Sequence, residues 1–271
     1  MLKSNEKLFR IVELLLENGS SGVTELAEAT PYHKSTVYTH LQTLQEHGLA
    51  FKSDGKYQLS LKFLTISEQI KNQRPVYQHG HEEIDSLANE TGELSYLAVP
   101  EDDVVTILHY ARGEKATLSV TAGATVPITE HSVGKVLLAF RSDTTDPETD
   151  EHLSADVVVD SDEDISKALE EARRNGFVIS TERDGSGPSI AEPDQSGPRS
   201  ESHLTDVQHT TVAAPVLDDE DEPLAVVAVT GLSKRINGEY QERICQQVVR
   251  AAAVIERKLD VEQTVPASNR D

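Results

Sequence analysis

The sequence predicts an α+β protein in two parts: a small helical head closed by a β-hairpin, and a larger domain in which an antiparallel sheet carries helices. Three observations support this. Apolar residues recur at helical spacing through the first 50 residues and then give way to two short strand-like runs around Asp54-Gly55. Beyond residue 92 the pattern is mostly strand-like runs separated by turns and a few amphipathic helices. Charge divides the same way. Residues 1–75 carry nine Lys/Arg against eight Asp/Glu, whereas the remainder carries 16 against 39.

The head reads element by element. Leu8, Ile11, Val12, Leu15 and Leu16 lie on one helical face within residues 5–17, and Gly19 to Gly22 stop that helix. Thr24 is placed to cap a short second helix, which Pro31 ends. A third helix follows around Lys34 to Glu46, with Val37, Leu41 and Leu44 at i, i+4 and i+7 and Gly48 as its stop. Leu49 to Lys52 and Lys56 to Leu59 flank Ser53-Asp54-Gly55, a strong hairpin signal. Helix, helix, tight turn, helix, hairpin is the order of a winged helix-turn-helix.

The polar face of the third helix can enter a major groove, where hydroxyls and amides bond to base edges or phosphates. The N-terminal residues of such a helix go deepest. Base and phosphate contacts are therefore predicted at Lys34, Ser35, Thr36, Thr39 and His40, with Lys52 and Lys56 of the hairpin on flanking phosphates. The acidic remainder would repel DNA, so any DNA contact belongs to the first 75 residues.

The whole chain has 271 residues and a formal charge of −22. One Cys excludes a disulfide framework or a multi-thiolate zinc site, and no apolar run approaches a membrane span. The charged N-terminus lacks a secretory leader, so a cytoplasmic protein is expected. The acid excess, the DDEDE run at 218–222 and the modest share of Lys (12 of 25 cations) point to a halophilic host.

The run TELAEATPYHKSTVYTHLQTLQEHGLAFKSDGKYQLSLKFL resembles the N-terminal domain of IclR-family transcription regulators, with its KSTVxxxLxTLxxxGL helix and a wing ending in YxL. The resemblance continues through PITEHSVGKVLLA at 127–139, LEEARRNGFVIST at 169–181 and TVAAPVLDDEDEPLAVVAVTG at 211–231. It implies a GAF-like effector-binding domain after a linker helix. The implied division is 1–60 for the winged helix-turn-helix, 61–75 for the linker helix, and 76–262 for the effector domain. That domain would hold a mobile loop at 184–203, and a disordered tail would follow at 263–271. By position the family's pocket falls on Leu118, Val120, Ser132, Val133, Ser180, Thr181, Thr211, Ala228 and Thr230. Ser180-Thr181 stand where the family commonly has an acid and a polar residue.

Within the larger part, strands are expected at 94–99, 104–110, 116–121, 177–179, 211–217 and 224–230, with a short DVVVD strand at 156–160. Helices are expected at 76–91, 133–140, 165–175 and 239–259. The implied partners are double-stranded DNA bearing a pseudo-palindromic operator and a small-molecule effector, an organic acid or a sugar derivative. The protein would act as a homodimer or homotetramer. No cofactor or metal is expected: there is no phosphate loop, no dinucleotide fingerprint and no nucleophile elbow. His79 and His81 diverge if helical, and Cys245 reads as a packed side chain. Two rival readings are an enzyme with a DNA-binding appendage, its active site in the acidic part, and a winged helix used for protein contacts.

Overall fold

The computed structural model describes residues 3–128, 132–141, 172–183 and 208–264. The chain divides into two compact units, Met1–Gln73 and Arg74–Asp271.

The first unit opens with α1 (Lys3–Asn18), α2 (Val23–Glu28) and α3 (Lys34–Glu46), followed by β1 (Ala50–Ser53), β2 (Lys56–Leu59) and α4 (Lys62–Asn72). Ile11, Leu14, Leu15, Leu26, Val37, Leu41, Leu44, Ala50 and Tyr57 form its core. The α2 cap differs from expectation. Gly22, not Thr24, is the N-cap, and its amide donates to Glu25 Oε2 at 2.9 Å. A carboxylate three residues on satisfies an orphan donor as well as a capping hydroxyl does. The hairpin pairs Phe51 with Gln58 and Ser53 with Lys56 across the two-residue turn. Helix α4 has no buried residue.

The second unit has α5 (Pro75–Thr91), β3 (Leu94–Glu101), β4 (Val104–Arg112), β5 (Thr125–Pro127), α6 (Ser132–Phe140), β6 (Val178–Arg183), β7 (Gln208–Leu217), β8 (Pro223–Leu232) and α7 (Gly238–Thr264). Its strands form one antiparallel sheet in the order β5-β4-β3-β8-β7-β6. One face packs on α5 and α7 through Ile84, Leu87, Leu97, Val227, Val229, Ile244, Val248 and Ile255. The other packs on α6 through Tyr96, Ile107, Leu118, Val120, Val133, Val136, Leu137, Ala213 and Ala228. We call the second the inner face.

The strand expected at 116–121 is not formed. Thr125–Pro127 takes the edge of β4 instead, with Val126 opposite Val105. Leu118 and Val120 are still buried while Thr117 is exposed, so the alternation read from sequence is real but serves packing without a ladder. The DVVVD segment, the loop at 184–203, residues 165–171 of the expected helix and residues 265–271 of the expected tail lie outside the described residues. Residues 263 and 264 of that tail belong to α7.

Two local features hold the second unit together. At the start of α6, a Cβ on Gly134 would collide with the backbone carbonyl of Ile128. The Gly-Lys of the VGKV run is therefore a seat for close helix approach. At one end of the sheet, the fully buried Glu93 accepts a two-pronged bond from Arg235: Nε to Oε1 at 2.8 Å and Nη2 to Oε2 at 2.7 Å. Arg235 also donates to the Lys115 carbonyl, and Tyr240 donates to the Thr91 carbonyl. Gly231 leaves room for this carboxylate, since a Cβ there would lie 2.5 Å from Glu93 Oε2.

Candidate DNA-reading helix and effector face

Helix α3 is anchored by Val37, Leu41 and Leu44, which share one stripe and are almost fully buried. That anchorage decides what faces outward. Ser35, Tyr38, Thr39, Gln42 and Glu46 are exposed, while Lys34 is exposed at one border of the stripe. Thr36 and His40 are half-buried at the other border. Thr39 Oγ1 donates to the Ser35 carbonyl at 2.9 Å and Thr43 Oγ1 to the Thr39 carbonyl at 3.1 Å. These bonds occupy the hydroxyl protons and leave oxygen lone pairs and methyl groups for a partner. Gln42 Nε2 donates to the Tyr38 hydroxyl at 3.1 Å, a paired amide and phenol that the sequence-based selection left out.

On the hairpin, the Lys52 ammonium lies 5.2 Å from the Tyr57 ring centroid. Lys56 pairs with Glu25 Oε1 at 3.1 Å, both side chains about half exposed. The Gly22 amide and Lys56 together hold the Glu25 carboxyl below its usual range. An exposed pair of this kind contributes little, so Lys56 stays available to a phosphate.

His40 differs from the other predicted contacts. Burial, then the nearby charge of Lys7, lowers its imidazole below the usual 6.5. It is therefore neutral at pH 7 in the free protein, and a phosphate at this position would favour the protonated ring. If His40 meets a phosphate as predicted, operator binding would take up a proton, and affinity should rise as pH falls from 7.5 to 6. The rise should be several-fold larger for the wild-type chain than for His40→Gln, measured by anisotropy titration at fixed KCl. Stability runs the other way: the unfolded ring binds the proton more readily, so the folded state loses stability as pH drops through 6.5.

In the second unit, strand register assembles part of the predicted effector set. Ser180, Thr211, Thr230 and Leu94 lie in one cross-strand row on the inner face. Thr211 Oγ1 and Thr230 Oγ1 share a hydrogen bond at 2.8 Å, and Thr230 Oγ1 donates to the Tyr96 hydroxyl at 3.4 Å. Leu118, Val120, Val133 and Ala228 are buried on the same side. Ser132 begins α6.

Thr181 does not join them. It faces the opposite side of the sheet, where its hydroxyl bonds Thr210 Oγ1 at 3.2 Å, and Thr210 donates to Ser233 at 2.9 Å. Neighbours on a strand point to opposite faces, so Ser180 and Thr181 cannot both line one pocket. Two polar groups absent from the sequence-based set do share the inner face: Tyr96 and the buried His209, which alternates in step with Thr211. Period-two reading outward from Thr211 would have found His209. A surface groove between α5 and α7, lined in part by Glu83, Glu90, Gln247 and Arg250, lies on the other side of the sheet.

Residues 4–52 match the IclR helix-turn-helix domain. The chain is 25% identical to a probable HTH-type transcriptional regulator, ArcR, of Halobacterium salinarum, over 92% of this chain and 91% of that one. It is 27% identical to the glycerol operon regulatory protein of Streptomyces coelicolor, over 88% of each. Its fold is that of the IclR of Thermotoga maritima, with a TM-score of 0.73 at 20% identity over 96% of this chain and 99% of that one. It also matches an IclR homolog from Microbacterium hydrocarbonoxydans complexed with 4-hydroxybenzoate, with a TM-score of 0.70 at 18% identity over 96% and 100%. Residues 4–52 thus carry a helix-turn-helix of the IclR type, and along most of its length the chain is similar to HTH-type transcriptional regulators and shares the IclR fold.

Proposed function

We propose that residues 1–60 read a pseudo-palindromic operator and residues 76–262 sense a small metabolite, with 61–75 as the linker between them. The observation that carries the DNA reading is the outward face of α3, held by a buried stripe so that Ser35 and Thr39 are presented together. Lys34, Thr36 and His40 flank them, and Lys52 and Lys56 on the hairpin serve adjoining phosphates. Likeness to transcriptional regulators over most of the chain favours this reading over an enzyme with a DNA-binding appendage.

The effector site is the inner face around Ser180, Thr211 and Thr230, walled by Leu118, Val120, Val133 and Ala228, with Ser132 at the start of α6. Hydroxyls in an apolar wall suit a small organic acid or a sugar derivative. The backbone N–H groups at the start of α6 add a place for a carboxylate. The 4-hydroxybenzoate held by the Microbacterium relative and the glycerol operon named for the Streptomyces one support an effector drawn from carbon-source metabolism. Thr181, on the opposite face of the sheet, is not part of this site.

Self-association is part of this reading. Phe9 and Leu16 on α1, and Leu61, Phe63, Leu64 and Ile70 around α4, are exposed apolar side chains. A homodimer or homotetramer covers them and supplies two recognition helices. The protein acts in the cytoplasm, and no described helix is long and apolar enough to cross a membrane. The acidic surface and the Halobacterium relative support a halophilic host.

Sequencing of genomic fragments retained by the purified full chain tests the function. A few enriched sites sharing a palindrome are expected, and metabolites of the neighbouring genes should change retention by the wild-type chain more than by Thr230→Val. No enrichment by folded protein at any KCl concentration, with or without those metabolites, would overturn the reading.

A further inference from the structure

Phe51 is 46% exposed on β1, on a different element from the exposed apolar residues of α1 and α4. Register places it on the outward face of the hairpin. Its opposite number there is Gln58, and the next pair on that face is Ser53 with Lys56. Ala50 and Tyr57 point to the other side and are buried in the core. An aromatic ring thus stands among an amide, a hydroxyl and an ammonium, with Lys52 beside it in sequence. A self-association patch would surround it with apolar side chains. An aromatic interleaved with cations and amides is instead the chemistry of a nucleic-acid surface. The ring also sits about 7 Å from the end of its strand, at roughly 3.3 Å per residue, so it travels with the hairpin tip.

We propose that Phe51 is an apolar DNA contact of the wing, its ring seated in the minor groove beside the major-groove site of α3. The inference rests on the DNA-binding reading above and adds to it a contact that carries no charge. Minor-groove wedges of this type partly unstack the step they enter, and flexible pyrimidine–purine steps yield most readily. The operator should therefore carry such a step where the wing lands. The contact also differs from the lysines in its response to salt. Phosphate neutralisation gains its strength from counterion release and fades in concentrated KCl, whereas apolar burial does not.

The test uses the full chain and an operator recovered by fragment sequencing, with 2-aminopurine scanned through the flank of each half-site. Wild-type protein should brighten the probe at one flanking position. Phe51→Ala should abolish that signal and weaken binding by about tenfold or more, the loss typical of a removed aromatic–base contact. That loss should be equal at low and molar KCl, and Phe51→Tyr should restore most of it. Lys52→Ala should lose affinity at low salt only. Phe51 is exposed, so thermal unfolding of Phe51→Ala should match wild type. Unchanged affinity and probe brightness would overturn the proposal while leaving the DNA function intact. A change in oligomeric state in sedimentation would assign Phe51 to a protein interface and overturn it as well. A wild-type chain that binds no operator would fail the underlying reading instead.

Discussion

Ser35→Glu is expected to weaken operator binding by at least about 100-fold, equivalent to roughly 2.7 kcal/mol, while leaving α3 folded. Two effects of one carboxylate act in opposite directions here. Ser35 is exposed at the second position of α3, where a negative charge complements the helix dipole and stabilises by about 0.3–1 kcal/mol. The same charge would point at the phosphates and acceptor-rich base edges that this face is proposed to meet. Anisotropy titrations should therefore show lost binding in a protein whose helical circular dichroism and melting temperature equal or exceed those of wild type. Binding within a few-fold of wild type would mean that another surface meets DNA. Ser35→Ala should cost far less, because it removes one hydroxyl without adding repulsion.

Glu93→Gln should destabilise the second unit by about 3 kcal/mol, at the low end of the range for breaking a buried ion pair because Arg235 keeps partial exposure. For a unit of this size that corresponds to a fall in melting temperature of roughly 6–12 °C. Hydrogen bonding to Glu93 raises the Arg235 guanidinium further, so Arg235 keeps its charge across the workable pH range and no change of pH removes the cation that the substitution leaves without its carboxylate. The amide keeps the shape of the carboxylate but cannot accept both guanidinium prongs. Differential scanning calorimetry of the full chain should show the loss in the transition of the second unit alone. A shift below 1 °C would show that solvent replaces the pair without cost.

The sequence was most legible where the physics is local. The spacing of Val37, Leu41 and Leu44 names the buried stripe of α3 and, by subtraction, its outward face. Asp54-Gly55 likewise fixes the register that puts Phe51 opposite Gln58. Where partners are distant the signal vanishes. Glu93 read only as the residue between a helix stop and a strand, because Arg235 lies 142 positions away. The segment 116–121 alternates like a strand, but whether it joins a ladder depends on which run takes the edge of β4, and Thr125–Pro127 does. Ser180 and Thr181 came as a pair by resemblance to related sequences, whereas a strand's period of two separates them. For the same reason His209 was overlooked: it has no motif of its own and gains significance only from its step relative to Thr211.

An eleven-residue helix without a single fully buried residue has a property beyond its apolar side chains. Isolated helices of this length are marginal in water, since nucleation is unfavourable and few propagating bonds follow it. The order of α4 would therefore gain from whatever covers Leu64 and Ile70. Under the self-association proposed above, the helical order of this segment would rise and fall with protein concentration.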